Sequence, residues 1–475
     1  MAEFYDTGLG INTFVNPLSR DGLLIHSVNM TSPGYGWKAK RTGYSTFLGT
    51  ADGSAVMSLH AFPNIGNDST KVNLIRASGS SLYSSIQGTG DWTLMGNGTI
   101  SPGAHFGGAI LENIFVGGDG VGSTRHSVNG TSWVNTNLAP IAEHFEQYGG
   151  RINAAGTGSY FSASSAGDGT NWNTSGTSDS FTRLIPGEGK LGRLFKSSDK
   201  LIATKSTGQM YKWDGFSLID MATKFGPSSP YSVAETEDYR FFINQYGHFG
   251  YSGSKPQLLS NAIQKQFYND ANTGIAGTVF PIAPAVCHRY DYLVSVGTIT
   301  DDFTDRTISN AIIKYDYQKN EYLNWSFANN PNAWLSYNDK DASRQLIFGD
   351  SSGQCYKMDN TVTTDNGTAI SCEMVYFFHY GIPKFKKLWK YWRGFFNPGC
   401  EAIVQVAFTD VFDYQSLNWF DLGDCSKGMV EFRPQQTTMG NPVSKFMFVR
   451  IYERSKNSRM VFYGQDIDAA IQTVN

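Results

Sequence analysis

The sequence predicts an all-β protein, a seven-bladed β-propeller with an N-terminal arm and a C-terminal β-sandwich. Three observations support this. Glycine is 51 of 475 residues and aromatic side chains reach 14%, while charged residues are only 17%, below the roughly 25% usual for soluble proteins. Small turn-forming groups recur at Gly90, Gly130, Gly169, Gly215, Gly253, Asn320 and Asn360, with separations of 40, 39, 46, 38, 67 and 40 residues. Between them apolar residues alternate with period two, as in Ile312-Ile-Lys-Tyr-Asp-Tyr317, which is the period of strands and not of helices.

Asn-Gly and Asp-Gly supply the positive φ of a tight hairpin turn. The pairs Asn129-Gly130, Asp168-Gly169 and Asp214-Gly215 are therefore expected at hairpin tips, with Trp133 and Trp172 bracing the turns they follow. A period near 40 residues is the spacing of a four-stranded propeller blade. Leu201 to Gly215 and Leu346 to Asn360 repeat the same strand grammar 145 residues apart, aligned on Tyr211 and Tyr356. Seven tips place the propeller over residues 55–365. The one long gap holds an insertion around 268–277 and the acidic loop Thr300 to Asp305. Residues 1–54 form the arm and connecting strands. Beyond Asn360 the rhythm stops, and longer alternating runs at 371–378, 402–408 and 445–452 give a sandwich over 366–475.

A net charge of −3 does not describe a protein that wraps nucleic acid. No basic and apolar leader opens the sequence and no run of about 18 apolar residues occurs, so synthesis in a reducing cytoplasm is expected. Five cysteines without a Cys-x-x-Cys pair offer neither a zinc ribbon nor a disulfide framework. The eight histidines are scattered with no metal-ligand spacing, and most read as turn or surface residues. Asp301, Asp302 and Asp305 lack the alternating calcium-loop pattern and read as a solvated loop.

Gly349-Asp-Ser351-Ser-Gly353 matches a nucleophile-elbow pattern, but a strand and not a helix follows it, so it reads as a blade turn. There is no phosphate loop. No catalytic residue, metal or cofactor is assigned, and the protein is expected not to be an enzyme. The densest unusual composition is Pro383 to Arg393, where Lys384, Lys386, Lys387, Lys390 and Arg393 interleave with rings that include Trp389 and Trp392. Such a segment can bind single-stranded nucleic acid. It can equally be a strand whose rings pack inside while the cations rim an interface, and the interface reading is preferred because the segment opens a β domain.

Ser127-Val-Asn-Gly-Thr-Ser-Trp133 resembles the Asp-box of sialidase-type propellers, and Ser165 to Trp172 is a looser version. Arg183-Leu-Ile-Pro186 resembles the sialidase arginine motif, but it follows the boxes instead of preceding them. Such boxes brace hairpins. The alternative function they imply is a glycan-binding or sialidase-like propeller acting on host surface polysaccharide.

The opening stretch carries a different resemblance. Gly10-Ile-Asn-Thr-Phe-Val-Asn-Pro-Leu-Ser-Arg-Asp-Gly22, Ser27-Val-Asn-Met30 and Gly36-Trp-Lys-Ala-Lys-Arg-Thr-Gly-Tyr44 resemble the start of tailed-phage virion propeller proteins, most of all the tail nozzle proteins of short-tailed phages. That family commonly ends in a sandwich introduced by a lysine-rich strand. The resemblance implies a structural part of the virion tail. Its members form a homo-oligomeric ring, a hexamer, around a DNA exit channel. They dock an adaptor or other tail proteins and fibres or spikes, and touch genomic DNA only in passage. A chain of low negative charge suits a channel through which DNA must slide without sticking.

Overall fold

The computed structural model describes residues 3–5, 10–12, 22–34, 36–63, 68, 71–156, 158–175, 178–267, 274–301, 304–381, 383–433 and 442–471. Five successive stretches each fold into an antiparallel four-stranded meander: 56–99, 107–135, 142–184, 191–220 and 234–258. The strands Ala285–His288, Asp291–Thr300, Thr307–Asp316 and Glu321–Ser326 repeat the order, although their sheet continues beyond the fourth strand. Ala333–Asn338, Arg344–Gly349 and Cys355–Asp359 follow, and Gly43–Thr46 from near the start of the chain joins as the fourth strand by pairing with Cys355–Asp359, with Thr364–Asp365 and Thr368–Ala369 beyond it. First strands of neighbouring sheets touch around a common axis, and Ala333–Asn338 comes back against Val56–Pro63. The architecture is a β-propeller.

The second strand of each sheet explains why these segments read as strong strands. It is central in its own sheet and is covered by both neighbouring sheets, so Val72–Ser78 and Arg240–Asn244 are buried along their whole length. Burial on both faces gives a continuous run of buried side chains instead of alternation.

The predicted tips all lie after the third strand of their sheets. Gly90, Gly130, Gly215, Gly253 and Asn320 have φ between 52° and 106°, the left-handed conformation a tight turn requires. Two tips differ from expectation. Gly169 sits inside a longer loop between Tyr160–Ala163 and Phe181–Leu184, where Gly167 takes the positive φ. A Cβ on Gly169 would lie 3.1 Å from Ile152 Cγ1 and 3.3 Å from Val116 Cγ2, so close packing, not turn geometry, calls for glycine there. Asn360 ends a strand whose partner comes from Gly43–Thr46, so no hairpin forms.

The two ends of the chain are woven together. Leu23–Val28 pairs with Cys372–Phe378, which continues through Phe446–Glu453 to Ile403–Thr409 and Phe420–Asp424. The facing sheet holds Lys387–Phe396 and Val461–Ile471, joined by Glu3–Tyr5, Met30–Thr31 and Lys38–Lys40. Met374, Tyr376, Val404 and Ile451 from one sheet meet Trp389, Trp392, Phe462 and Ile467 from the other in a single core. Positions 13–21 and 302–303 of the motifs discussed above, with 268–273 of the insertion, lie outside the described residues.

Three basic residues at the junction are buried, each against an acid from a different part of the chain. Lys38 pairs with Glu321 and Lys40 with Glu453 at 3.1 Å. Arg41 makes a bidentate pair with Asp365 at 2.8 and 2.6 Å while its guanidinium lies over the Phe327 ring. Next to them, Gly43 runs so close to Thr364 that an added Cβ would sit 1.8 Å from its carbonyl oxygen. Only glycine fits. Tyr44 then enters the core against Phe348 and Tyr356.

Removing one partner of a buried pair strands the other charge, at a cost of about 3–5 kcal/mol. Arg41→Met is expected to lower unfolding stability by that amount in urea titrations. Lys386→Ala, which breaks an exposed pair with Asp410 at 2.5 Å, is expected to cost under about 1 kcal/mol. Equal effects would mean that burial does not set the strength of these pairs.

Candidate functional site

The lysine-rich strand differs from its sequence reading. Trp389 and Trp392 point into the core, where their indole N–H groups donate to Ser444 Oγ at 2.9 Å and Gln465 Oε1 at 2.8 Å. They cannot serve an interface, because the β-bulge between Trp389 and Tyr391 resets the strand's alternation and turns both inward. Lys387 is also buried, and its ammonium donates to the Lys445 carbonyl. Lys386 pairs with Asp410, Lys390 with Asp468 and Arg393 with Glu431 and Asp466. Lys384 is exposed, with its ammonium over the Phe385 ring. The expected basic patch is thus largely neutralised within the chain.

The tip residues act as braces. Asn129 Oδ1 accepts from the N–H groups of Thr131 and Ser132, and the Gly130 N–H donates to Ser127 Oγ. This holds Trp133 in the core between the first two sheets, where its N–H donates to Met95 Sδ. Asp168 Oδ1 accepts from the Thr170 N–H, and the Trp172 indole donates to the Gly169 carbonyl. Asp214 accepts from the N–H groups of Phe216 and Ser217, which hold its carboxyl down at about 2. Asp350 braces the turn at Ser351 in the same way, accepting from Ser352 and Gln354.

Two expectations are corrected. Asp301 is buried, accepts from the Thr304 N–H and lies 3.1 Å from His26 Nδ1, so this part of the acidic loop is anchored and not solvated. Nor are the histidines surface residues. His26, His144, His248 and His379 are buried and the other four are partly so. Imidazole combines a flat apolar body with a polar edge, which suits layers between sheets.

The histidines lead to a cluster that the sequence did not reveal. A cavity of about 220 Å³ on the propeller axis is lined by first strands and the segments before them, and a second of about 560 Å³ adjoins it. His105, Glu143, His144, Pro230 and Tyr231 border both and form the partition. Pro230 opens a short 3-10 turn whose N-cap, Ser229, accepts from the Tyr231 N–H, and this carries the tyrosine to the axis. The Tyr231 hydroxyl donates to Glu143 Oε1, and its ring stacks on His105 with centroids 3.8 Å apart. Burial pushes the Glu143 carboxyl and the Tyr231 hydroxyl upward, so both hold their protons more tightly than usual. Burial also drives His60 and His105 down to about 4 and His144 well below its ordinary value, leaving neutral rings at pH 7. Glu146, one turn of alternation further along the same strand, is pushed up to about 8 by burial and by Glu235.

Arg193 stands among these groups, and its charge acts on His60, Glu143, His144, Glu146 and Tyr231. Its Nε is enclosed without a partner, and its guanidinium makes no hydrogen bond or ion pair among the described residues. No group of three or more potential metal ligands occurs among the described residues. Among them, too, no helix is long and apolar enough to cross a membrane.

A histidine whose folded value lies below 6.5 binds its proton in the unfolded chain first. Stability is then complete above about pH 6.5 and is lost as pH falls toward the folded value. His248, held at about 3 by burial between Tyr292 and Tyr322, is expected to contribute up to about 1.4 kcal/mol of loss per pH unit below 6.5. Glu146, raised in the folded state, gives the opposite slope between about 4.5 and 8, so the several histidines outweigh it. Urea midpoints at pH 7 and pH 5.5 should differ in that sense, and less so in His248→Gln. An unchanged difference would show that His248 does not drive the slope.

No family model and no curated protein matches the chain. Solved structures similar to it include BamB from Moraxella catarrhalis at 10% identity, covering 76% of this chain and 97% of that one with a TM-score of 0.40. YCF48 from Cyanidioschyzon merolae is similar at 9% identity over 66% of this chain and 98% of its own, with a TM-score of 0.43. The computationally designed Ika8 protein matches at 11% identity over 66% and 99%, with a TM-score of 0.38. The likeness in each case is one of general architecture.

Proposed function

We propose that this chain is a structural component of a bacteriophage tail, a nozzle or tail-tube end, in which a seven-bladed propeller and a C-terminal β-sandwich form one subunit of a homo-oligomeric ring. The ring surrounds a DNA exit channel and docks an adaptor or other tail proteins and fibres or spikes. The residues behind the family resemblance support this reading: Lys38, Lys40, Arg41, Gly43 and Tyr44 are the ones that join the propeller to the C-terminal sheets.

One observation carries the assembly. The outermost strands of the five separate four-stranded sheets each expose an apolar side chain, namely Leu94, Val134, Leu184, Ile219 and Leu258, which are 38–60% exposed. Outer strands also present unpaired backbone groups. Apolar side chains repeated on free edges suit burial against further subunits or tail proteins.

The double variant Val134→Lys with Ile219→Lys should keep its melting temperature, because both side chains lie at the surface. It should lose ring formation, read by light scattering after size-exclusion chromatography, and fail to complement particle assembly. A variant that assembles normally would overturn the reading.

The Glu143–Tyr231 pair favours a second reading, the glycan-binding or sialidase-like propeller, since a tyrosine paired with an acid can act as a glycosidase nucleophile. A proton held tightly on Tyr231 argues against it. Incubation with host polysaccharide and sialosides is expected to release no sugar. Release that Tyr231→Phe abolishes would establish the enzyme instead.

A further inference from the structure

We infer that the axial cavity around Arg193 binds a small carboxylic acid with a compact, flat apolar body. Arg193 supplies a positive charge that forms no ion pair among the described residues. Lys190 and Lys205 add to it from the adjoining cavity, and among the described residues Lys205 is itself bound only to Ser159 Oγ and the Gly189 carbonyl. The acids that could oppose them do not. Glu143 accepts from the Tyr231 hydroxyl and forms no ion pair with the guanidinium among the described residues, while burial pushes Glu146 up to about 8.

Arg193 is partly buried with its Nε enclosed, and an incoming carboxylate would give the guanidinium a bidentate, charge-assisted contact that it lacks among the described residues. His144, buried and without a hydrogen bond among the described residues, presents a neutral ring to the same space. Leu59, Phe106, Val233 and Trp334 give the smaller cavity an apolar stretch of wall, beside the polar Ser58, His60 and Asn332. An ion without a body would leave that wall facing water, and a neutral body would leave Arg193 unpaired. A carboxylate on a flat apolar frame satisfies both. The inference holds for a protein that cleaves nothing, and it is independent of how subunits assemble.

The test is titration calorimetry on the full chain with benzoate, its uncharged isostere benzamide, and inorganic phosphate, with thermal melting of the wild type and Arg193→Met in parallel. Benzoate should bind and raise the melting temperature, and benzamide and phosphate should bind at least about 10-fold more weakly, as expected for loss of a charge-assisted contact or of the apolar body. Arg193→Met should abolish the benzoate effect while melting, without ligand, at or above the wild-type temperature, because the arginine has no partner to lose. Four results would overturn the proposal. They are no benzoate binding, benzamide binding as well as benzoate, phosphate binding as well as benzoate, or a markedly lower melting temperature for the unliganded variant.

Discussion

The structure depends on one short stretch of buried charge. Lys38, Lys40 and Arg41 are almost consecutive, all are removed from water, and their acids come from three places: Glu321 in a propeller sheet, Asp365 in the short strand Thr364–Asp365 that pairs with Gly43–Thr46, and Glu453 in a C-terminal sheet. Desolvating three cations is expensive, and burial, aided by the charges of Lys319 and Lys314, pulls the Lys38 ammonium down in spite of Glu321. Apolar residues of similar size could supply as much stability. What they could not supply is registration, since a greasy strand can slip by two residues while a cation cannot abandon its only counter-charge. One segment therefore fixes the propeller's closing strand, Gly43–Thr46, and the edge of the C-terminal sheet at once.

That arrangement explains what was legible in the sequence and what was not. Turn signals are local: the side chains of Asn129 and Asp214 bond N–H groups two or three residues on, so they can be read without knowing anything else about the chain. Strand alternation is local in the same sense. Closure is not. Nothing near Gly43 says that its strand will pair with Cys355–Asp359, more than 300 residues away, and nothing near Leu23–Val28 says that it will lie beside Cys372–Phe378. The run from Lys384 to Arg393 shows the same limit on a smaller scale. Its composition displayed five cations and four rings, but which of them faced water depended on the acids Asp410, Glu431, Asp466 and Asp468 brought alongside by other strands.

The axial cluster lay furthest from view. His105, Glu143, Arg193 and Tyr231 come from different sheets or connections, and the fold brings them together only because first strands converge on an axis. No spacing rule links them. The one signal present was indirect: eight histidines in a chain with few charges, in which layers of rings between sheets offer them burial.

Convergence also sets the chemistry available there. Each first strand can bring only a side chain or two to the axis, so the pairing of charges depends on neighbours that fold independently of one another. At the junction of propeller and C-terminal sheets every buried cation meets an acid, which is what a structural joint requires. At the axis Arg193 meets none, although Glu143 and Glu146 are close enough to feel its charge. Both carboxyls are instead biased toward their protonated forms, Glu143 by burial and Glu146 by burial and Glu235. A ring of sheets closed by its own N-terminal strand can tolerate that deficit, because its stability comes from the layers between sheets and not from the hub. The hub is thus a place where, among the described residues, a cation persists without an ion-pair partner, and a ligand of opposite charge would be accommodated there.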